Sequence, residues 1–243
     1  MPLFALFMII YNKLFLDKIL YACYYSKSNG GDEMTTEKRV ALILAALDLH
    51  YPYEDKCYLN YQKPYELLFA TILSAQCTDH RVNIVTKELF SKYTSLEAFA
   101  AADLAQLEQD IKTTGFYRNK AKNILACAVK LLEEHFGELP SDVEKLTKLS
   151  GVGRKTANVV RCHIFGLPSV VVDTHVKRIS LRWNFTKNTD PVKIEFDLMK
   201  ILPQDHWIRY NHQVIALGRQ ICKAPKAKCE SCFITELCPS FKK

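Results

Sequence analysis

Lys155 and Asp173 stand eighteen residues apart, the first just after a glycine turn and the second at the end of three valines. A lysine in the first turn of a helix sits at the positive end of the helix dipole, and here Arg154 precedes it. Both neighbours disfavour its charged form, and an amine that spends time neutral is a nucleophile. Taken alone, the same lysine also serves as a phosphate contact or a solvated surface charge. Asp173 closes the run Val170-Val171-Val172 and precedes Thr174 and His175. A carboxylate ending an apolar run is not a typical solvated charge. It either caps a helix beginning near Thr174 or serves as a base in a cleft. A lysine and a carboxylate converging on one substrate are suited to amine chemistry at an acetal carbon.

A second constellation lies near the C-terminus. Cys222, Cys229, Cys232 and Cys238 give C-x6-C-x2-C-x5-C in "CKAPKAKCESCFITELC", four thiols within seventeen residues. Zinc sites usually pair two close doublets. Here only the middle two form one, and a single compact loop supplying four thiolates suits a [4Fe-4S] cube, with zinc as the alternative. Lys223, Lys226 and Lys228 fall between the first two cysteines with no acid among them. A cluster holding that basic loop rigid beside a phosphate backbone accounts for the arrangement. The other five of the nine cysteines, Cys23, Cys57, Cys77, Cys127 and Cys162, have no ligand spacing and read as small apolar residues.

These groups need elements to position them. "EKLTKLSGVGRKTANVV" reads as helix, tight turn, helix, with Gly151, Val152 and Gly153 as the turn. Glycines let a backbone come close to a ligand, and the open amides of a helix N-terminus suit one phosphate. No nucleotide-binding strand precedes the turn, so dinucleotide and P-loop readings fail. As a purely structural hairpin it needs no function.

Elsewhere helix signals dominate. Pro64 opens "PYELLFATILSA". Thr94 with Glu97, and Ser141 with Glu144, have capping-box spacing. Asn119–Gly137 carries apolar residues at helical spacing, with Gly137 as the stop. Pro191 starts another helix, and His206–Ile221 is amphipathic. The one strand-like run, Pro168–Val176, is too short and solitary for a sheet. The fold class is all-α.

The chain has 243 residues, 49% hydrophobic and 24% charged, which excludes wholesale disorder and allows one large or two small domains. A net charge of +7 fits a polyanion partner, nucleic acid first, or simply a basic soluble protein. The odd cysteine count argues against a disulfide framework. Residues 1–25 are apolar but make a poor signal peptide and, with Lys13, Asp17 and Lys18 among them, a poor membrane span. Residues 1–33 read as an extension outside the fold, with Met34 an ordinary protein start; a peripheral membrane anchor is the other reading.

Taken together, "LSGVGRKTANVV", "VDTHVKR" and the terminal four-cysteine loop resemble the endonuclease III family of helix-hairpin-helix base-excision DNA glycosylases. "LLFATILSAQCTD" and "IKTTGFYRNKAKNI" match it too, so the resemblance spans about residues 36–240. It implies two helical domains flanking a DNA-binding cleft: a six-helix barrel with the hairpin over 57–167, and an iron-sulfur cluster domain over 34–56 and 168–243. By motif position, Lys155 is the expected Schiff-base nucleophile and Asp173 the residue that activates it and stabilises the sugar cation. Gln76 is the side chain expected to fill the gap left by a flipped nucleotide. Phe116 falls where the family often has a leucine wedge, a departure that keeps an apolar wedge. Gly151, Val152, Gly153, Arg154, His175, Lys223, Lys226 and Lys228 complete the expected DNA contacts, and the four cysteines the metal ligands.

The implied activity is a bifunctional glycosylase and AP lyase acting on oxidised pyrimidines. The implied partner is double-stranded DNA with damaged bases or abasic sites, bound by a monomer with no membrane partner, in the cytoplasm at the nucleoid if the source is bacterial. Two rivals remain. A monofunctional adenine-excising relative lacks a lysine at this position, and Lys155 speaks against it. A non-enzymatic DNA-binding module with a redox-sensing cluster has no need of Lys155 and Asp173 together.

Overall fold

A computed structural model describes residues 34–53 and 57–241, so the expectations for residues 1–33 lie outside the described residues. Among the described residues every regular element is helical, and the Pro168–Asp173 stretch has no regular structure. The described residues divide into two compact units, one drawn from residues 34–53 and 170–241, the other from residues 57–169, called below the Lys56–Ser169 unit.

In the Lys56–Ser169 unit the helices are Pro64–Leu73, Asp79–Lys92, Leu96–Ala100, Leu104–Asp110, Tyr117–His135, Val143–Thr147 and Arg154–Phe165. Pro64–Leu73 is apolar almost all round, the pattern of a helix buried on every side. Its Leu67, Leu68, Phe69, Ala70 and Leu73 are fully buried, and it packs against Asp79–Lys92, Tyr117–His135 and Arg154–Phe165. Phe69 and Tyr93 both meet Phe99, with ring centroids 4.9 Å and 5.0 Å apart. The helix start is sealed by the Glu66 carboxylate, which accepts from the Gln62 and Lys63 amides at 2.7 and 3.1 Å.

The other unit holds Thr36–His50, Thr174–Arg182, Pro191–Ile201 and Trp207–Gln220. Its core gathers Ile43, Leu47, Val176, Ile179, Trp183 and Tyr210. The Tyr210 hydroxyl is buried and sits 3.0 Å from the Ser180 hydroxyl, which spares it an unmade hydrogen bond.

Two of the expected caps shift by one residue. Ser95, not Thr94, caps Leu96–Ala100 by accepting from the Ala98 amide at 3.2 Å. The Thr94 carbonyl is instead held by the Lys63 amine at 2.6 Å and the Tyr65 hydroxyl at 3.3 Å. Asp142, not Ser141, caps Val143–Thr147. Gly137 is preceded by Phe136, which already turns left-handed at φ 54° to end the long helix.

Candidate functional site

The hairpin forms as its sequence suggests. Val143–Thr147 leads through Gly151-Val152-Gly153 into Arg154–Phe165, and Gly153 is the N-cap with no side-chain cap bond. Lys155 is exposed in the first turn, and Arg154 is half-buried. The two glycines differ. Gly151 has φ +76°, and a Cβ there would come within 2.8 Å of Asn123 Cβ; Gly153 has nothing within 4 Å of that position. Val152 is only 5% exposed and belongs to the core. An apolar side chain between two glycines thus anchors the turn from inside.

Gln76 and Phe116 are both exposed in the same unit, Phe116 at 65%. Both have left-handed backbones, φ 53° and 49°, and Gly115 before Phe116 has φ 71°. Non-glycine residues held there cost of order 1–3 kcal/mol each, and they cluster at functional sites. Their turns leave the C-terminal end of Pro64–Leu73 and enter the N-terminal end of Tyr117–His135. Nearby, sequence reasoning misses Lys120: it is 5% exposed, and its amine donates to the Leu73 and Thr114 carbonyls, each at 2.8 Å. Burial lowers the affinity of that amine for its proton.

In the other unit Asp173 is the N-cap of Thr174–Arg182, its Oδ1 accepting from the Val176 amide at 2.7 Å. The capping alternative is therefore real, and it occupies one carboxylate oxygen. His175 is half-buried, with Nδ1 3.2 Å from Arg178 Nη2. Its proton affinity is lowered chiefly by burial, with Arg178 and Arg219 adding and Asp173 opposing. A Cβ on Gly218 would collide with the His175 ring, so the ring has a packing role that "VDTH" does not announce.

Cys222, Cys229, Cys232 and Cys238 line one cavity of about 900 Å³ together with Arg182 and Trp183. Burial pushes the Cys232 and Cys238 thiols up, and neighbouring thiols of the four add to it. Among the described residues no three His, Cys, Asp or Glu side chains gather closely enough to grip a single ion. Arg182, also missed from sequence, braces the loop: its Nη1 donates to Cys222 Sγ at 3.1 Å and to the Lys223 carbonyl at 3.0 Å. Lys223, Lys226 and Lys228 are exposed on that loop. Among the described residues no helix is long and apolar enough to cross a membrane.

Residues 69–204 match the HhH-GPD superfamily of base excision DNA repair proteins. The chain is 51% identical over 205 residues to endonuclease III of Synechocystis, covering 84% of this chain and 93% of that one. Two solved structures, a non-covalent endonuclease III–DNA complex and a trapped endonuclease III–DNA covalent intermediate, each superpose with a TM-score of 0.80 at 44% identity. Each covers 85% of this chain and 97% of its own. With the hairpin, the capping aspartate and the four-cysteine cavity in place, the chain belongs to the endonuclease III family.

Proposed function

We propose that this enzyme excises oxidised pyrimidines from double-stranded DNA through a Schiff base on Lys155 and then cuts the strand by β-elimination. The coarser activity, DNA N-glycosylase with AP lyase in base excision repair, is that of its family. The observation that carries the finer reading is an exposed lysine in the first turn of a helix whose glycine N-cap leaves the end open.

The chemistry begins with a base turned out of the stack. The Lys155 amine, relieved of its proton by Asp173, bonds to C1′ as the bond from C1′ to the base breaks, and the departing base takes up a proton. Asp173 passes the proton taken from Lys155 to that base, and its restored carboxylate balances the positive charge that grows on the sugar. Opening of the sugar ring leaves an imine between Lys155 and C1′. The imine acidifies the C2′ proton, and its loss expels the 3′ phosphate, cutting the strand. Holding the reactants in one site removes the need for a bimolecular encounter. Gln76 and Phe116 fill and wedge the vacated stack. The hairpin amides and Lys223, Lys226 and Lys228 hold phosphates in a monomer.

Cys222, Cys229, Cys232 and Cys238 are the residues that would hold a [4Fe-4S] cluster, which supplies a rigid tether for the basic loop. The four line one cavity, and a single compact loop supplying four thiolates suits the cube, with zinc as the alternative. Borohydride trapping on a panel of lesion-bearing duplexes tests the reading. Covalent capture on oxidised pyrimidines and abasic sites is expected. Capture on abasic sites alone would remove the substrate assignment, and no capture at all would remove the nucleophile.

A further inference from the structure

Gln76 and Phe116 lie 40 residues apart in sequence, yet one buried amine stands behind both turns. Leu73 is the last residue of its helix, where carbonyls lack an intrahelical partner, and Lys120 takes that carbonyl at 2.8 Å. Three residues on is Gln76, in a turn closed by the Cys77 amide on the Ser74 carbonyl at 3.1 Å. The second carbonyl held by Lys120, that of Thr114 at 2.8 Å, comes just before Gly115 and Phe116. The helix carrying Lys120 starts at Tyr117, and its Lys120 amide donates to the Phe116 carbonyl at 3.2 Å. Lys120 thus fixes both ends of the Thr114–Phe116 turn and the exit of the Pro64–Leu73 helix.

Exposed left-handed residues persist only where their surroundings over-determine them. Solvent offers Gln76 and Phe116 no such constraint, so it must come from below. A helix-surface lysine would normally snorkel to water; this one is buried to 5% exposure and donates to two backbone carbonyls, those of Leu73 and Thr114. We infer that Lys120 is a positioning residue, whose amine locks the Gln76 turn to the Phe116 turn so that both side chains enter a duplex together. This rests on the proposed wedge roles of those two side chains.

The consequence is selective. A wedge and a gap-filler matter only where there is a stack to part, so single-stranded abasic DNA does not need them. Lys120→Met removes the amine at similar size. Strand cutting by the full chain is compared on one abasic strand, alone and in duplex, with folding followed by circular dichroism. Lys120→Met should lower kcat/KM about tenfold or more on the duplex and leave the single strand within about twofold. It should also add little to Gln76→Ala with Phe116→Ala, because it acts through them. Equal losses on both substrates, or none, would overturn the inference. If the variant does not fold, hydrogen exchange on the unaltered protein decides: the Gln76 and Phe116 segments should be protected together, and free exchange of either overturns it. Failure of the unaltered protein to cut either substrate would instead strike the proposed activity.

Discussion

Gly151 lies directly against Asn123: a Cβ added to the glycine would sit 2.8 Å from Asn123 Cβ and 2.9 Å from Nδ2, on a backbone at φ +76°. The first glycine of the turn is thus required by the fold itself. Gly151→Ala should lower stability by about 1–3 kcal/mol through overpacking and strain, seen as a drop in melting temperature. Gly153 meets nothing within 4 Å at its Cβ position, so Gly153→Ala should melt like the parent. Its loss should appear instead as weaker binding to damaged and intact DNA alike, measured by fluorescence anisotropy. Parental affinity in a folded Gly153→Ala protein would remove the phosphate from this turn.

The basic loop makes a separate electrostatic prediction. Lys226 is exposed, while Arg182 holds the neighbouring Lys223 and Pro225 carbonyls at 3.0 and 3.4 Å. Lys226→Ala should therefore leave the loop in place. It should weaken binding across all sequences and reduce the salt slope of log K by about one counterion. A titration series in salt reads this directly, and an unchanged slope would take the loop off the DNA.

Local spacing made much of the candidate site legible. The turn before Lys155, the cap at Asp173 and the four-cysteine loop are each written within a few adjacent residues. What stays hidden depends on partners far along the chain. Thr94 and Ser95 are equally good caps by type, and the choice turns on a Lys63 amine that takes the Thr94 carbonyl from 31 residues away. Lys120 occupies a helix position that reads as polar surface, and its burial follows from the Leu73 carbonyl 47 residues back. Val152 sits inside a ligand-facing turn in sequence, but an apolar side chain flanked by glycines turns to the core. Arg182 looks like any helix-end cation until the Cys222 sulfur is found 3.1 Å away.

For the four-cysteine cavity we expect a brown protein with about four irons per chain, as a single cubane on four thiolates requires. Iron and zinc analysis of the purified chain checks this. Cys229→Ser should lose iron and weaken DNA binding while Lys155, in the other unit, still forms some trapped complex. A colourless, zinc-loaded and fully active protein would reject the cluster.

The two proposed catalytic residues are separable because their structural duties differ. Lys155 is exposed, so Lys155→Gln should fold normally. It should lose the borohydride-trapped complex, since no amine remains to form the imine, and keep lesion binding. Asp173 has a structural duty, accepting from the Val176 amide at 2.7 Å. Asparagine caps helices about as well as aspartate, so Asp173→Asn should keep the helix start and melt within about 1 kcal/mol of the parent. The amide still cannot take a proton from Lys155 or balance the charge growing on the sugar. Losing one such electrostatic stabiliser typically costs on the order of 10²–10³ in rate, and single-turnover kinetics on a damaged-base duplex should show a loss of that size. An abasic substrate spares the base-expulsion step, so the defect should be smaller there. Binding should be equal or tighter, because a negative charge no longer faces phosphates. An Asp173→Asn protein that melts far below the parent would assign the residue to the helix cap alone. A Lys155→Gln protein that still traps on DNA would mean another amine is the nucleophile.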